Sequence, residues 1–280
     1  GGSLLKYGTE EQKQRFFPGI AAGEIICSAC LTEPRGGTDL GNMETTATKV
    51  DGGFLLNGTK VFISHAEHAG LFFIVASIDR SKKHKGVTAF VADPREMKGM
   101  TISEFPMRTL KRDNLSEVHF KDCFVPDEAV LGEPGRGFPI LGNALDMGRF
   151  SVAARCVGQS QRAIDLAAPY AMEREAFGQP IGEFQLVQNK LADMVARTEQ
   201  ARLLVYRLGR MKDAGLERCS LESSLAKLKS SQAATQNALD GMAVFGGYSV
   251  TAEYEIGRLL MEAKALEFGE AIRTFIRNWS

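Results

Sequence analysis

Residues 30–39 read CLTEPRGGTD, from Cys30 to Asp39, and they follow the run Ile25-Ile26-Cys27-Ser28-Ala29. Two carboxylates, two threonine hydroxyls, a proline and a Gly-Gly pair within ten residues exceed what a turn requires. Taken alone, the segment reads as a polar turn. Around it, from Ile25 to Phe124, short β-rich runs alternate with turn residues: IICSACL (25–31), ETTATKV (44–50), FLLNGTKVFIS (54–64), LFFIVASI (71–78), VTAFVAD (87–93) and SEVHFKDCFV (116–125). Runs of this length with short connections predict an antiparallel sandwich or barrel, with DGG (51–53) and NG (57–58) as tight-turn signals.

The flanking sequence has a different texture. On the N-terminal side, TEEQKQRFFPGI (9–20) is one short helix that opens with a capping box, Thr9 followed three residues later by Gln12. After VPDEAVLGEPGRG (125–137) nearly everything is helical in composition, with breaks near Gly178-Gln179-Pro180, Gly215 and Gly246-Gly247. Within this part Phe184, Val187, Leu191, Met194, Thr198, Ala201, Val205 and Leu208 recur at spacings of three and four. That stripe predicts a helix over 184–212 packed against other helices. The organisation is thus residues 1–24 as the remnant of a helical domain, 25–131 as a β domain and 132–280 as a helical bundle.

Composition narrows the function classes. The chain has 280 residues, with 34 Lys plus Arg against 34 Asp plus Glu. No long block carries one sign, so nothing calls for nucleic acid or an anionic membrane surface. No apolar stretch approaches a membrane span, and GGSLLKYGTEEQ (1–12) lacks the basic flank and apolar segment of a signal peptide. The expected location is the cytoplasm, or the mitochondrial matrix in a eukaryote. Cys27, Cys30, Cys123, Cys156 and Cys219 read as reduced thiols. Cys27 and Cys30 sit three apart in a strand and so face opposite sides. His65 and His68 have no second ligand pair beside them, and no metal is assigned.

Several motifs in the same order resemble the acyl-CoA dehydrogenase family over almost the whole chain. They are LTEPRGGTD (31–39), SLLKYGTEEQKQRFFPGIAAGE (3–24), LNGTKVFIS (56–64), ALDMGRFSVAARCVGQSQRA (144–163), YAMEREAFGQPIGEFQLVQNKLADM (170–194) and FGGYSVTAEYEIGRLLMEAKALE (245–267). The resemblance implies an α+β multidomain fold: an antiparallel β-barrel or sandwich middle domain, then a C-terminal helical bundle, with the N-terminal helical domain largely missing. It also implies FAD as cofactor, an acyl-CoA substrate, an electron-accepting flavoprotein as partner and a homotetramer. The expected activity is α,β-dehydrogenation of the thioester to the trans-2-enoyl-CoA, as in β-oxidation of fatty acids. The enoyl-CoA reductase direction and a catalytically impaired flavin-binding relative are the alternatives.

By the same resemblance the opening segment is a strap beside the flavin ring. Leu31 and Thr32 would contact flavin, and Thr38 would lie where flavin and acyl-CoA meet. The two glycines allow close approach of the backbone. Phe62 would lie against the flavin and Ser64 near its N5, although Phe62 reads equally as a core aromatic. Arg174 and Phe177 would reach the FAD of a neighbouring subunit, with Gln185, Gly246 and Gly247 at the same dinucleotide. A guanidinium suits a pyrophosphate, yet beside Glu173 and Glu175 it also reads as a solvated helix charge. Asp146 and Arg149 would contact the CoA thioester, or else form a helix-surface ion pair. The match places the α-proton base on Glu270, with Glu267 as its competitor. Three features depart from the family pattern: Ala243 replaces a glutamine, which removes one adenosine-side contact, Ser249 replaces a glycine, and the continuation after Glu270 is atypical.

Overall fold

The computed structural model describes residues 1–107, 114–216 and 218–270; the continuation after Glu270 lies outside the described residues. The chain divides into two compact units, Gly1–Ala144 and Leu145–Ser280.

The first unit opens with α1 (Gly2–Tyr7) and α2 (Glu10–Ala21). The expected capping box is formed: Thr9 Oγ1 accepts from Gln12 N at 3.2 Å, and Gln12 Oε1 accepts from Thr9 N at 3.1 Å. The same Gln12 holds α2 in place, since its Nε2 donates to the backbone carbonyls of Glu128 (2.7 Å) and Val130 (2.9 Å).

Eight strands follow: β1 (Ile26–Cys30), β2 (Thr46–Val50), β3 (Gly53–Ser64), β4 (Ala69–Ser77), β5 (Val87–Ala92), β6 (Met100–Glu104), β7 (Leu115–Pro126) and β8 (Val130–Leu131). They form one sheet in the order β6-β7-β3-β2-β4-β5-β8, with β1 beside β4. Most pairings are antiparallel, but β1 runs parallel to β4 and β2 meets β4 in parallel at Thr46 and Ser77. The wholly antiparallel expectation is therefore corrected to a mixed sheet. Parallel partners need a long crossover, and residues 31–68, which contain the strap and the β2-β3 hairpin, supply it.

Asp51-Gly52 turns the chain between β2 and β3, but Asn57-Gly58 does not. It lies inside β3, where the register against β7 shifts between Leu56 and Gly58. Gly58 sits at φ +146° and a Cβ there would strike Thr45. The bulge is on β7, where Lys121 and Asp122 (φ +47°) stand opposite Asn57, so the sequence signal reported a glycine-requiring backbone within the strand and not a turn. Phe54, Phe72, Phe90 and Phe120 fill the core, with the Phe54 and Phe90 rings edge to face at 5.4 Å.

One charged pair lies inside this unit. Lys60 on β3 and Glu33 in the strap are buried, with Lys60 Nζ 2.9 Å from Glu33 Oε1. Lys60 also donates to the Leu31 carbonyl at 3.2 Å, and Glu33 accepts from the amides of Glu44 (2.5 Å) and Thr45 (2.9 Å). Burial opposes ionisation of Glu33, yet the Lys60 charge and these amides outweigh it and hold its pKa below the ordinary carboxylate value. The stabilisation is present at neutral pH and is lost as pH falls through that lowered value.

The second unit is helical. It comprises α3 (Gly137–Glu173) from Leu145 onward, α4 (Gln185–Asp213), α5 (Ser220–Phe245) and α6 (Ile256–Phe268), with a short hairpin of β9 (Glu175–Ala176) and β10 (Gln179–Pro180) between α3 and α4. The expected stripe on α4 is the packed face: Met194, Thr198, Ala201, Val205 and Leu208 are buried, while Val187 and Leu191 are partly so. A polar stitch crosses it. Asn237 Nδ2 donates to the Met194 carbonyl (3.0 Å) and to Thr198 Oγ1 (2.8 Å), and its Oδ1 accepts from Arg197 Nε (3.0 Å). Among the described residues no helix is long and apolar enough to cross a membrane.

Two stability outcomes follow from these buried polar groups. Lys60→Met leaves Glu33 charged and unpaired, and should cost about 3–5 kcal/mol in urea unfolding, with part recovered by adding Glu33→Gln. Asn237→Leu removes three hydrogen bonds, to Arg197 Nε, Thr198 Oγ1 and the Met194 carbonyl, while Arg197 keeps Asp240 and the Thr198 hydroxyl keeps the Met194 carbonyl, and should cost about 1–3 kcal/mol. Losses under about 0.5 kcal/mol, within the range of ordinary surface substitutions, would contradict either account.

Candidate active site

In the first unit, the strap leaves β1 at Cys30 and folds back through Glu33-Pro34-Arg35-Gly36, where Glu33 and Gly36 exchange backbone hydrogen bonds of 3.2 and 2.9 Å. Gly37 packs so closely on Thr32 that a Cβ would press its side chain. The Thr32 carbonyl accepts from Val61 N at 2.9 Å, which ties the strap to β3. Next to that tie, the register of β3 breaks between Lys60 and Ile63. Phe62 stands there at φ +58° with its side chain 61% exposed, its ring 5.4 Å from that of Phe105. The structure thus decides one sequence ambiguity: Phe62 is not a core aromatic. Ser64 is also exposed, its carbonyl held by Ser28 Oγ at 2.6 Å. Leu31, Thr32 and Thr38 are partly exposed on the strap.

In the second unit, Arg174, Gly246 and Gly247 line one cleft of about 490 Å³ together with Tyr170, Phe245 and Tyr248. The Arg174 guanidinium lies 5.9 Å from the centre of the Tyr248 ring. Gly246 ends α5 at φ +61°, and a Cβ on either glycine would meet nothing, so this rim is open. Phe177 is 98% exposed at φ +52° and Gln185 is exposed at the start of α4; neither lines the cleft.

The carboxylate centre is also in the second unit. Glu270 follows the end of α6 at φ +58°, and its carboxyl rests against Gly148 of α3, where any Cβ would collide with it. Arg149 Nε donates to the Glu270 carbonyl at 3.2 Å. Burial raises the Glu270 pKa above the ordinary carboxylate value, while the charges of Arg149 and Lys227 oppose that rise. Its Oε2 is buried with no hydrogen-bond partner among the described residues. Glu267 differs: its carboxylate pairs with Lys264 at 2.9 Å. Of the two candidates, Glu270 is the one shown with a buried carboxylate oxygen lacking a hydrogen-bond partner among the described residues.

Asp146 is buried and turned toward the protein. It accepts from Ser220 Oγ (2.7 Å) and lies 3.5 Å from Arg149 and 3.7 Å from Arg218. Arg149 in turn donates to Ser224 at 3.3 Å. The pair is a buried network rather than a helix-surface ion pair.

Strain marks these places. Of the six described non-glycine residues at positive φ, three are Phe62, Phe177 and Glu270. Such conformations cost of order 1–3 kcal/mol each and concentrate where function requires them. Sequence reasoning missed Glu33, Lys60, Gly148 and Lys227. Alternation along β3 puts Lys60 on the face of Phe54 and Leu56, and the four-residue step from Ser223 to Lys227 puts that lysine on the packed face of α5.

Comparisons with known proteins agree with this layout. Residues 28–123 match the acyl-CoA dehydrogenase middle domain and residues 135–270 match the acyl-CoA dehydrogenase C-terminal domain. An acyl-CoA dehydrogenase of Bacillus subtilis (strain 168) is 37% identical over 268 residues, covering 95% of this chain and 70% of that protein. Among the solved structures, a glutaryl-coenzyme A dehydrogenase in complex with glutaryl-CoA superposes with a TM-score of 0.96 at 32% identity, covering 99% of this chain and 70% of the other. PigA with FAD and proline superposes at 0.94 with 30% identity, covering 99% and 72%. The chain spans 64% to 70% of the length of such curated relatives. Two matched domains in order, on the fold described above, establish that this chain belongs to the acyl-CoA dehydrogenase family.

Proposed function

We propose that the protein is an FAD-dependent acyl-CoA dehydrogenase in which Glu270 removes the α proton of a CoA thioester. The observation that carries this reading is the buried Glu270 carboxyl, with Oε2 free of hydrogen bonds among the described residues and positive charge at Arg149 and Lys227. A general base must be close to its proton, desolvated, and still ionised near neutral pH. Burial supplies the first part of that balance by raising basicity, and the two cations keep the carboxylate form accessible. The reverse, reductase direction would use the same carboxyl as acid.

The chain's surfaces fit FAD. In the first unit an exposed aromatic, Phe62, is held at positive φ beside a strap whose Gly36-Gly37 pair presents little bulk. In the second, an open glycine rim lies in one cleft with the Arg174 guanidinium. Leu31, Thr32, Thr38, Phe62 and Ser64 would hold the flavin end, and Arg174, Phe177, Gln185, Gly246 and Gly247 the dinucleotide of a neighbouring copy in a homotetramer. When bound, FAD supplies a hydride acceptor for Cβ. Arg149 contacts the thioester substrate, and Asp146, with its oxygens on Ser220, Arg149 and Arg218, holds that arginine in place. An electron-accepting flavoprotein takes the electrons onward, and the setting is fatty-acid β-oxidation in the cytoplasm or mitochondrial matrix.

On the full-length, FAD-loaded enzyme, Glu270→Gln should slow anaerobic flavin reduction by acyl-CoA by at least about a hundredfold, with FAD content unchanged. A rate within about threefold of the parent would remove Glu270 from the role of base. Because the folded-state pKa of Glu270 is raised, the contribution of this group to stability is fully present below its unfolded value and is lost as pH rises through the folded one. Glu270→Gln should therefore raise the melting temperature at neutral pH and not below about pH 4, where the unfolded carboxyl is protonated too. Arg174→Ala should weaken FAD binding by about 1.5–3 kcal/mol, roughly 10- to 150-fold, in titrations of apoprotein. An unchanged dissociation constant would return Arg174 to a solvated helix charge.

A further inference from the structure

Lys227 is a lysine with 1% of its surface exposed, on α5, where the residues from Ser223 to Leu228 are otherwise serine, alanine and leucine. A lysine is withdrawn from water only at substantial cost, so its ammonium needs compensating partners. Its Nζ donates to the backbone carbonyl of Glu267 at 2.7 Å. That carbonyl belongs to the last turn of α6, where helix carbonyls have no partner within the helix and carry partial negative charge. Three residues on, the chain has left the helix and Glu270 stands at φ +58°. The path of that short segment is fixed at both ends from other helices: Lys227 of α5 grips Glu267, and Arg149 of α3 grips the Glu270 carbonyl at 3.2 Å.

The two cations differ in what else they do. Arg149 is shared with Asp146 and Ser224. Lys227 lies in the fields of Glu267, Glu270, Cys156 and Arg149. Burial pushes the Lys227 ammonium down to about 8, so it still carries its charge at neutral pH. Among the described residues, the charges acting on Glu270 are Arg149 of α3 and Lys227 of α5; Lys227 in turn feels Cys156 of α3 and Glu267 of α6, and Arg149 pairs with Asp146. Among the described residues, losing the Lys227 charge leaves burial of Glu270 opposed by Arg149 alone, and Arg149 is partly neutralised by Asp146.

We propose that Lys227 is a positioning residue for the reaction: it clamps the end of α6 through the Glu267 carbonyl, sets the place of the Glu270 carboxyl, and supplies positive charge that keeps it ionised. This rests on the reading of Glu270 as the base. Two variants separate the clamp from the charge. Lys227→Met removes both, and Lys227→Gln keeps an N–H donor but no charge.

The test uses the full-length, FAD-loaded enzyme and two readouts: the pH profile of anaerobic flavin reduction by acyl-CoA, and the ionisation midpoint of Glu270, taken from infrared carboxylate bands that vanish in Glu270→Gln. Both variants should move the acid limb of the profile and the infrared midpoint upward together by about one pH unit or more, a tenfold change in the proton equilibrium. FAD content and acyl-CoA dissociation constant should stay within about threefold, because Lys227 is placed on neither ligand; Lys227→Met should also lose rate at pH values above the limb, where charge no longer matters. A pH limb and midpoint that do not move, in folded variants, overturn the proposal. If neither variant yields folded, FAD-loaded enzyme, Lys227 is a folding residue and the positioning role falls. If Glu270→Gln retains full flavin reduction, the reading of Glu270 fails, while the infrared midpoint still reports whether Lys227 governs that carboxyl.

Discussion

A charge taken out of water must be met by opposite charge and by hydrogen bonds, and each unit of this chain is organised around one such demand. In the first unit the demand is made by Lys60 and Glu33. Their contact, with the Leu31 carbonyl and the Glu44 and Thr45 amides, binds the start of the strap to β3 and to the residues just before β2. A polar loop with two glycines has little apolar surface of its own to fix it. The ion pair does what a hydrophobic core cannot do there, since it specifies one arrangement of backbone groups around the strap. In the second unit the demand is made by the Glu270 carboxyl, and Arg149 and Lys227 meet it. The difference between the two is instructive. Glu33 is fully satisfied and its pKa falls, whereas Glu270 keeps an unpartnered oxygen and its pKa rises. The first arrangement holds structure; the second fits the proton transfer proposed for Glu270.

Much of the fold was legible because its signals are local. The capping box at Thr9 and Gln12, the stripe on α4 and the breaks at 178–180, 215 and 246–247 depend on residues close in sequence. Strand direction did not follow from local pattern. β1 and β4 are equally apolar whichever way they pair, and only the long intervening crossover makes the parallel arrangement possible. Asn57-Gly58 failed for a related reason. The dipeptide reports a need for an unusual backbone, and pairing with β7, far along the chain, keeps it inside a strand opposite a bulge of β7 instead of in a turn.

The site was legible through motifs more than through physics. Nothing in the local sequence of Phe62 distinguishes a ring that faces outward from one in the core; the register break beside it does, and that is a property of the sheet. Asp146 and Arg149 are three apart on a helix, which alone suggests a surface pair. Their burial comes from α5, whose Ser220 and Ser224 close over them. The lysines at 60 and 227 escaped notice because a lysine is ordinarily solvated. Periodicity places both on packed faces, and a charged residue on a packed face was the signal to follow.

The central claim is that Glu270 takes a proton from the carbon next to a thioester carbonyl. The most direct measurement is deuterium incorporation at Cα of an acyl-CoA whose β carbon carries no hydrogen, incubated in D₂O with the full-length, FAD-loaded enzyme. Such a substrate cannot be oxidised, so exchange reports proton transfer alone. The account expects enzyme-dependent exchange at Cα that disappears in Glu270→Gln. Exchange that persists undiminished in that variant would contradict it.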